Sequence, residues 1–303
     1  MILRVLGSAA GGGVPQWNCA CANCTAARQG RAPRRTQSCA AIGSEHGGGW
    51  TLLNCSPDIA LQIEQFAPLQ PRRLGDGRRD TPIASILLTD ANVDHIGGLA
   101  VLRQDGSHSF TVRSSESVRA LVTAQTAFAR FAAPPHRWLC DTRCEPVNED
   151  DPIGNLFDVC AFPVPGRMPG YAGRSAAEDA VFAFDVRDRR SEGRLLFAPV
   201  YEAIDDGLLS TIAQADVALL DGSFYSDDEL RTGGLMDKRA RDLGHLPVGD
   251  SGGSLDRLTD IRTRVIFTHL NNSNPMLDPT SQAARRVSER GFEIAYDGLQ
   301  LVL

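Results

Sequence analysis

The chain has 303 residues, 42% of them hydrophobic, and a formal net charge of -6. Such a chain can build a large core, while its acidic balance excludes a general electrostatic attraction to nucleic acid or to an anionic membrane surface. No uninterrupted apolar run approaches the ~18 residues of a membrane span, so a cytoplasmic location is expected, with neither nucleic acid nor membrane as a partner.

The opening MILRVLGSAAGGGVP holds one basic residue and a short apolar run before its glycines, which fits a first strand better than a signal peptide. SCAAIG, WTLLNC and PIASILLT follow as short β-rich runs bounded by Gly, Pro or Asp. ESVRALVTAQTAFARFA has apolar positions three and four apart behind a serine, and predicts a helix over 116–132. Further on, VCAFPV, AVFAFDV, RLLFAPV, VALLDGS, RVIFTHL and FEIAYDGLQLVL read as strands, with LLSTIAQA, LDRLTDI and QAARRVSERG as the helices between them. Strands at both ends and helices throughout predict one α/β layered domain over 1–303, without internal repeat. Segments 166–180 and 225–253, rich in Gly, Pro and charge, are expected as mobile loops around a site. The basic runs Pro33-Arg34-Arg35 and Arg72-Arg73 read as solvated loops.

In a reducing cytoplasm the eight cysteines point to metal rather than to a disulfide framework. Cys39, Cys55 and Cys160 lie in apolar strand-like runs and read as buried core thiols; Cys140 and Cys144 read as loop cysteines. NCACANC places Cys19, Cys21 and Cys24 within six residues. Three thiols so close can turn inward on one zinc ion at ~2.3 Å and stabilise a coil with no core of its own, a structural role. The fourth ligand must come from elsewhere: His245, Asn272 or water.

The strand PIASILLT should end near Thr89, so TDANVDH (89–95) forms the loop at its C-terminal edge, where α/β folds place ligands. This frame resembles the THxHxDH signature of the metallo-β-lactamase superfamily. Thr89, Asp94, His95 and the following GGL match, while Asp90 and Asn92 replace the two leading histidines. His269 in RVIFTHLNN corresponds to the superfamily's last histidine ligand, and the CxCxxC loop is similar to the zinc loop of its phosphodiesterases. Those enzymes carry a fourth zinc ligand, a histidine, where this chain has Asn272. GSAAGGGVPQWNCACANC, TDANVDHIGGL, LLDGSF, GHLPV and THLNNSNP, in that order, resemble the coenzyme PQQ synthesis B family along nearly the whole chain. The resemblance implies an αββα sandwich and a place in pyrroloquinoline quinone (PQQ) biosynthesis. It implies either iron-dependent hydroxylation of the tyrosine of a peptide-derived Glu-Tyr precursor, with dioxygen as co-substrate, or a carrier that moves PQQ or a precursor to the periplasm. Other proteins of the pathway are possible partners under either activity.

Hydrolysis through two metals ~3.5–4 Å apart needs enough ligands for each. Replacing two imidazoles by Asp90 and Asn92 weakens one metal position. The strand where the bridging carboxylate usually ends reads LLFAPVYE, with Pro199 and Val200 at the expected place. Asp94, His95 and His269 remain, two imidazoles and one carboxylate, as in the facial triad of non-haem iron(II). Asp90 is either a further ligand or the partner that orients His95. Asp221 in LLDGSF either lines the pocket or caps its turn. His245 in GHLPV delivers protons, completes the zinc shell or is a plain loop residue.

His46, His108 and His136 have no motif around them and are expected to face solvent. GDSGG at 249–253 copies a serine-protease fragment without its context, so Ser251 is a decoy. GSAAGGGVP lacks the Lys-Ser or Lys-Thr of a nucleotide loop; its glycines fit a tight backbone path beneath the site. A precursor's carboxylates could pair with Arg167, Arg174 or Lys238. The oligomeric state is left open.

Overall fold

The computed structural model describes all residues except 46, 73–78, 105–107, 141–154 and 174–177. The elements run β1 (Ile2–Gly7), α1 (Ala22–Arg28), β2 (Cys39–Gly43), β3 (Trp50–Leu53), α2 (Ile59–Glu64), β4 (Ile83–Leu87), α3 (Val93–Ile96), α4 (Leu99–Leu102), β5 (Thr111–Arg113), α5 (Glu116–Thr123) and β6 (Arg137–Leu139). They continue with β7 (Phe157–Pro163), β8 (Phe182–Asp188), β9 (Arg194–Ala198), α6 (Asp206–Gln214), β10 (Val217–Asp221), α7 (Glu229–Thr232), α8 (Ser254–Arg257), β11 (Arg264–Thr268), α9 (Gln282–Glu289), β12 (Glu293–Ile294) and β13 (Gln300–Val302).

Strand alternation sends β1 side chains to two different cores. Leu3 and Val5 join Phe157, Phe182, Phe184 and Phe197 in a core between two sheets, where each buried phenyl contributes roughly 1.5–3 kcal/mol. Leu6 faces the other way, into a core under α2, α4 and α5. A third core packs α6, α8 and α9 on the far side of the second sheet. The sheet orders are β13-β1-β2-β3-β4-β5-β6 and β12-β11-β10-β9-β8-β7, so two sheets stack face to face with helices outside, the expected αββα sandwich. In each sheet antiparallel strands give way to a parallel run, β3 to β6 and β9 to β12. The carboxyl ends of β4 and of β10 and β11 therefore open towards one another across the sandwich. The helices start where the residues allow: Ser115, Asp205 and Ser281 each accept a hydrogen bond from the backbone N–H three residues on.

Several elements differ from expectation. The helix over 116–132 stops at Thr123, whose hydroxyl turns back to the Arg119 carbonyl; a short 3-10 turn at Ala129–Ala132 then buries Phe131. FEIAYDGLQLVL is not one strand. Gly298 adopts φ +97, which a side chain disfavours, and the chain leaves the second sheet after β12 to pair as β13 with β1 in the first. LDRLTDI contributes only Leu255, Asp256 and Arg257 to the four-residue α8, and the brief β5 and β6 carry too little pattern to be seen in advance. His136, expected in solvent, is 5% exposed; it stacks on Phe110 at 5.5 Å and its Nδ1 accepts the Phe110 N–H. His108 is half-buried, 3.6 Å from Asp80. Cys39 and Cys55 are buried free thiols, whereas Cys160 is half-buried and takes part in a disulfide. His46, Cys144 and Arg174 lie outside the described residues.

Candidate metal centre

At the end of β4 the chain turns sharply. The Thr89 N–H donates to Asn54 Oδ1 at 2.9 Å, and Asp90 Oδ1 accepts from both the backbone N–H and the side-chain amide of Asn92, each at 2.8 Å. This Asx turn launches α3, which carries Asp94 and His95. Asp90 Oδ2 accepts from His95 Nδ1 at 2.7 Å and lies 2.9 Å from the Thr89 hydroxyl. Asp90 thus has donors on both oxygens and is fully buried, so it orients His95 rather than facing the cavity. Gly98, from the GGL that follows, permits close approach: a Cβ there would lie 2.3 Å from the Ser56 carbonyl oxygen.

The second sheet supplies the rest. His269 follows β11 in a left-handed backbone conformation, φ 59, a strained state that persists where the surroundings enforce it. Its Nδ1 is 2.7 Å from the Ser223 hydroxyl, which lies 2.6 Å from Asp221 Oδ1 at the end of β10. Asp221 Oδ2 is 2.8 Å from His245 Nδ1 and also accepts from the Tyr201 backbone N–H at 3.3 Å. Asp221 therefore does more than cap its turn, and like Asp90 its oxygens are engaged. Each of the three imidazoles is pinned through Nδ1, an arrangement that fixes the tautomer and presents Nε2.

Asp94 is the carboxylate left over. Its Oδ2 sits 3.0 Å from His269 Nε2 and 3.9 Å from His95 Nε2, and the ligand atoms of Asp94, His95 and His269 all lie within 4.8 Å of one another. Asp221, His245 and His269 form a second such group. Among the described residues His95 Nε2 is buried with no hydrogen-bond partner, an expensive condition for a polar atom unless something binds it. The charges agree. Burial alone would depress the His95 pKa, yet Asp90 and Asp94 outweigh it and hold it at about 9. His245 is likewise raised against burial by Asp221, Asp94 and Asp90. The three carboxyls are held below their usual range despite burial, Asp90 and Asp94 chiefly by His95 and Asp221 chiefly by His245. A pocket that demands positive charge and offers an orphaned imidazole nitrogen fits a divalent cation.

Above these groups lies a cavity of about 210 Å³ walled by Gly11, Asn92, Arg167, Val200, Gly244 and Asn271. Gly11 belongs to the glycine run: a Cβ there would lie 3.4 Å from the Asp94 carboxylate. Arg167 is ion-paired with Glu202, and Tyr171 donates its hydroxyl to the Ala91 carbonyl at 2.5 Å, tying segment 167–173 to the metal loop. Lys238 is not on this wall. Sequence reasoning missed Ser223 and the backbone of Tyr201; the serine two residues after Asp221 was the available signal.

The cysteine loop is partly helical rather than coil: Cys21 precedes α1 and Cys24 is buried on it. The three ligand atoms are mutually within 4.8 Å. Of the candidates for the remaining position, Asn272 is the one present, its side-chain amide 3.1, 3.5 and 3.4 Å from the sulfurs of Cys19, Cys21 and Cys24, while His245 stands in the cavity beside His269 at a ring separation of 5.5 Å. Burial, reinforced by Cys21 and Cys19, pushes the Cys24 thiol up to about 11. The Cys21 thiol is lowered, because burial is outweighed by hydrogen bonds from its neighbours.

The beta-lactamase superfamily domain family matches residues 49–270. Coenzyme PQQ synthesis protein B of Pseudomonas protegens is 37% identical over 316 aligned residues, covering 100% of both chains. This chain belongs to the coenzyme PQQ synthesis protein B family. The solved structure of zinc-bound PqqB from Methylobacterium extorquens is 35% identical, covers 100% of both chains and superposes with a TM-score of 0.91. A diphosphatase of the PhnP family, 18% identical with a TM-score of 0.68 over 100% of this chain and 97% of its own, shares the fold.

Proposed function

We propose that this protein acts in PQQ biosynthesis as an iron-dependent hydroxylase of the tyrosine in a peptide-derived Glu-Tyr precursor. The reading rests on one observation: Asp94, His95 and His269 converge as one carboxylate and two imidazoles, while Asp90 and Asp221 are engaged elsewhere. Iron(II) held by that trio would supply open coordination positions and one-electron chemistry for dioxygen. Asp90 and Ser223 keep the nitrogen lone pairs of His95 and His269 turned inward. His245, on the cavity wall with its Nδ1 donating to Asp221, presents Nε2 to the cavity, where it would exchange a proton with a bound phenol. The cavity of about 210 Å³ above the metal ligands has room for a phenol side chain. Cys19, Cys21 and Cys24 would hold a structural zinc, with the Asn272 amide donating to their sulfurs.

One observation favours a second reading, a dinuclear hydrolase: the Asp221, His245 and His269 group shares His269 with the first. Anaerobic reconstitution with iron(II), zinc(II) or manganese(II), followed by air and a Glu-Tyr peptide, separates the two. Oxygen uptake by the ferrous protein with hydroxylated product by mass spectrometry is expected. Two cavity-bound zinc ions per chain, with ester or phosphodiester cleavage and no oxygen uptake, would replace the hydroxylase by the hydrolase.

A further inference from the structure

A second cavity, of about 350 Å³, opens beside β1 and α2 and shares no wall residue with the metal cavity. Its walls include Arg4, Arg34, Gln65, Phe66 and Asp297. Arg4 occupies a position where strand alternation puts it on the same face as Leu6, towards the helix-covered core. It is held from two sides. Its guanidinium carbon lies 5.0 Å from the centre of the Phe66 ring, a cation–π contact, and that ring is itself braced edge-on against Trp50 at 5.1 Å. On the other side Gly298 leaves room: a Cβ there would lie 3.2 Å from Arg4 Nη2.

Stacking satisfies the face of a guanidinium and leaves its N–H edge unused. Among the described residues the Arg4 guanidinium has no hydrogen-bond or ion-pair partner, and neither has that of Arg34 on the same wall. Among the described residues Asp297, on the same wall, forms an ion pair with neither of them. Its Oδ1 accepts from the Ser8 N–H and hydroxyl, at 2.9 and 2.7 Å, and its Oδ2 from those of Thr36, at 2.6 and 2.9 Å. One braced cation, Arg4, and a second, exposed one, Arg34, both with spare donors, share a concave wall on which Asp297 has its oxygens taken by neutral donors, an arrangement suited to an oxyanion.

We infer that this cleft binds a carboxylate or phosphate group of a small molecule, through the guanidinium edges of Arg4 and Arg34. The inference does not depend on the reaction proposed for the metal cavity.

Calorimetric titration of the metal-loaded full chain with inorganic phosphate and, separately, with glutarate tests it, the responding arm identifying the oxyanion. Saturable one-to-one binding is expected for at least one probe, about tenfold or more weaker in both Arg4→Met and Arg34→Gln, the loss that one charge-assisted hydrogen bond implies. Metal content should be unchanged in both, and the binding should persist in His269→Ala, which separates the cleft from the metal cavity. Because Arg34 is exposed, its variant remains informative if Arg4→Met fails to fold. No saturation by either probe up to roughly 10 mM, wild-type affinity in either variant, or loss of binding in His269→Ala would overturn the inference.

Discussion

The cysteine loop and the histidine cavity are two cation sites built by opposite means. In the loop, three soft donors lie within six residues, on α1 and just ahead of it, and the fourth side is filled by the Asn272 amide. In the cavity, the donors arrive from β4 in one sheet and from β11 in the other, and each imidazole is steered by a partner on Nδ1. One site is closed, the other opens onto a cavity. Closure suits a structural ion, and an open face suits chemistry. The two sites meet in one short stretch after β11, where His269 faces the cavity and Asn272, three residues on, faces the thiols.

The largest expected effects come from breaking one site at a time. His269→Ala should lower metal content by about one ion per chain while leaving the melting temperature nearly unchanged, and iron(II) titrated by calorimetry should no longer bind tightly; undiminished binding would mean that His269 is not a ligand. Cys24→Ser should also lose about one ion, but with a fall in melting temperature of roughly 5–10 °C, because metal binding to such a loop is folding energy. If the two variants behaved alike in heat, the division into a structural and a chemical site would fail.

Next in size is a test of the segment joining the sites. Glu229 on α7 accepts from the Ser273 hydroxyl at 2.5 Å and from the Tyr225 N–H at 2.8 Å, so it ties the loop over the cavity to the residue after Asn272. Burial raises its pKa from 4.5 to about 7, against the hydrogen bonds from Ser273 and Tyr225. A carboxyl whose folded pKa is raised binds its proton more tightly in the folded state, so its contribution is intact below about pH 4.5 and is lost as pH rises through 7. The loss is about 3 kcal/mol at most. Urea unfolding at pH 5 and pH 8 should therefore show wild type losing more stability than Glu229→Gln; equal losses would mean that the carboxylate stays ionised throughout.

How far these sites were legible depended on whether their donors are neighbours in sequence. NCACANC declared itself by spacing, and TDANVDH by its frame. The pairing of His245 with Asp221 could not be read, because it joins a loop to a strand end across 24 residues, and Asp221 alone looks like any turn-capping acid. Asn272 stood in the sequence as one of three candidates for the fourth position, with nothing to choose it over His245 or water; its place among the thiols follows from the path after β11. In the fold, strands with continuous apolar runs were clear. The split of FEIAYDGLQLVL was not, since Gly298 looks like an ordinary strand glycine until β1 is known to lie beside it.

The smallest effects discriminate within the cavity. Asp90→Asn keeps the shape but can present an amide N–H to His95 Nδ1, weakening its hold on the tautomer; a loss of about 10- to 100-fold in metal affinity is expected, as for other residues that orient a ligating histidine. Asp221→Asn alters His245 directly, which lies outside the Asp94, His95 and His269 group, and touches His269 only through the Ser223 hydroxyl, so metal affinity should change by less than about tenfold while turnover falls. The contrast is informative because both carboxylates are fully buried, both contact a histidine and both have a pKa held low. They differ in which imidazole they hold directly, and Asp221 reaches the ligand His269 only through the Ser223 hydroxyl. If the two variants lost metal affinity equally, His245 would have to be a ligand as much as His95 is, and the second group around Asp221 would become a metal site in its own right.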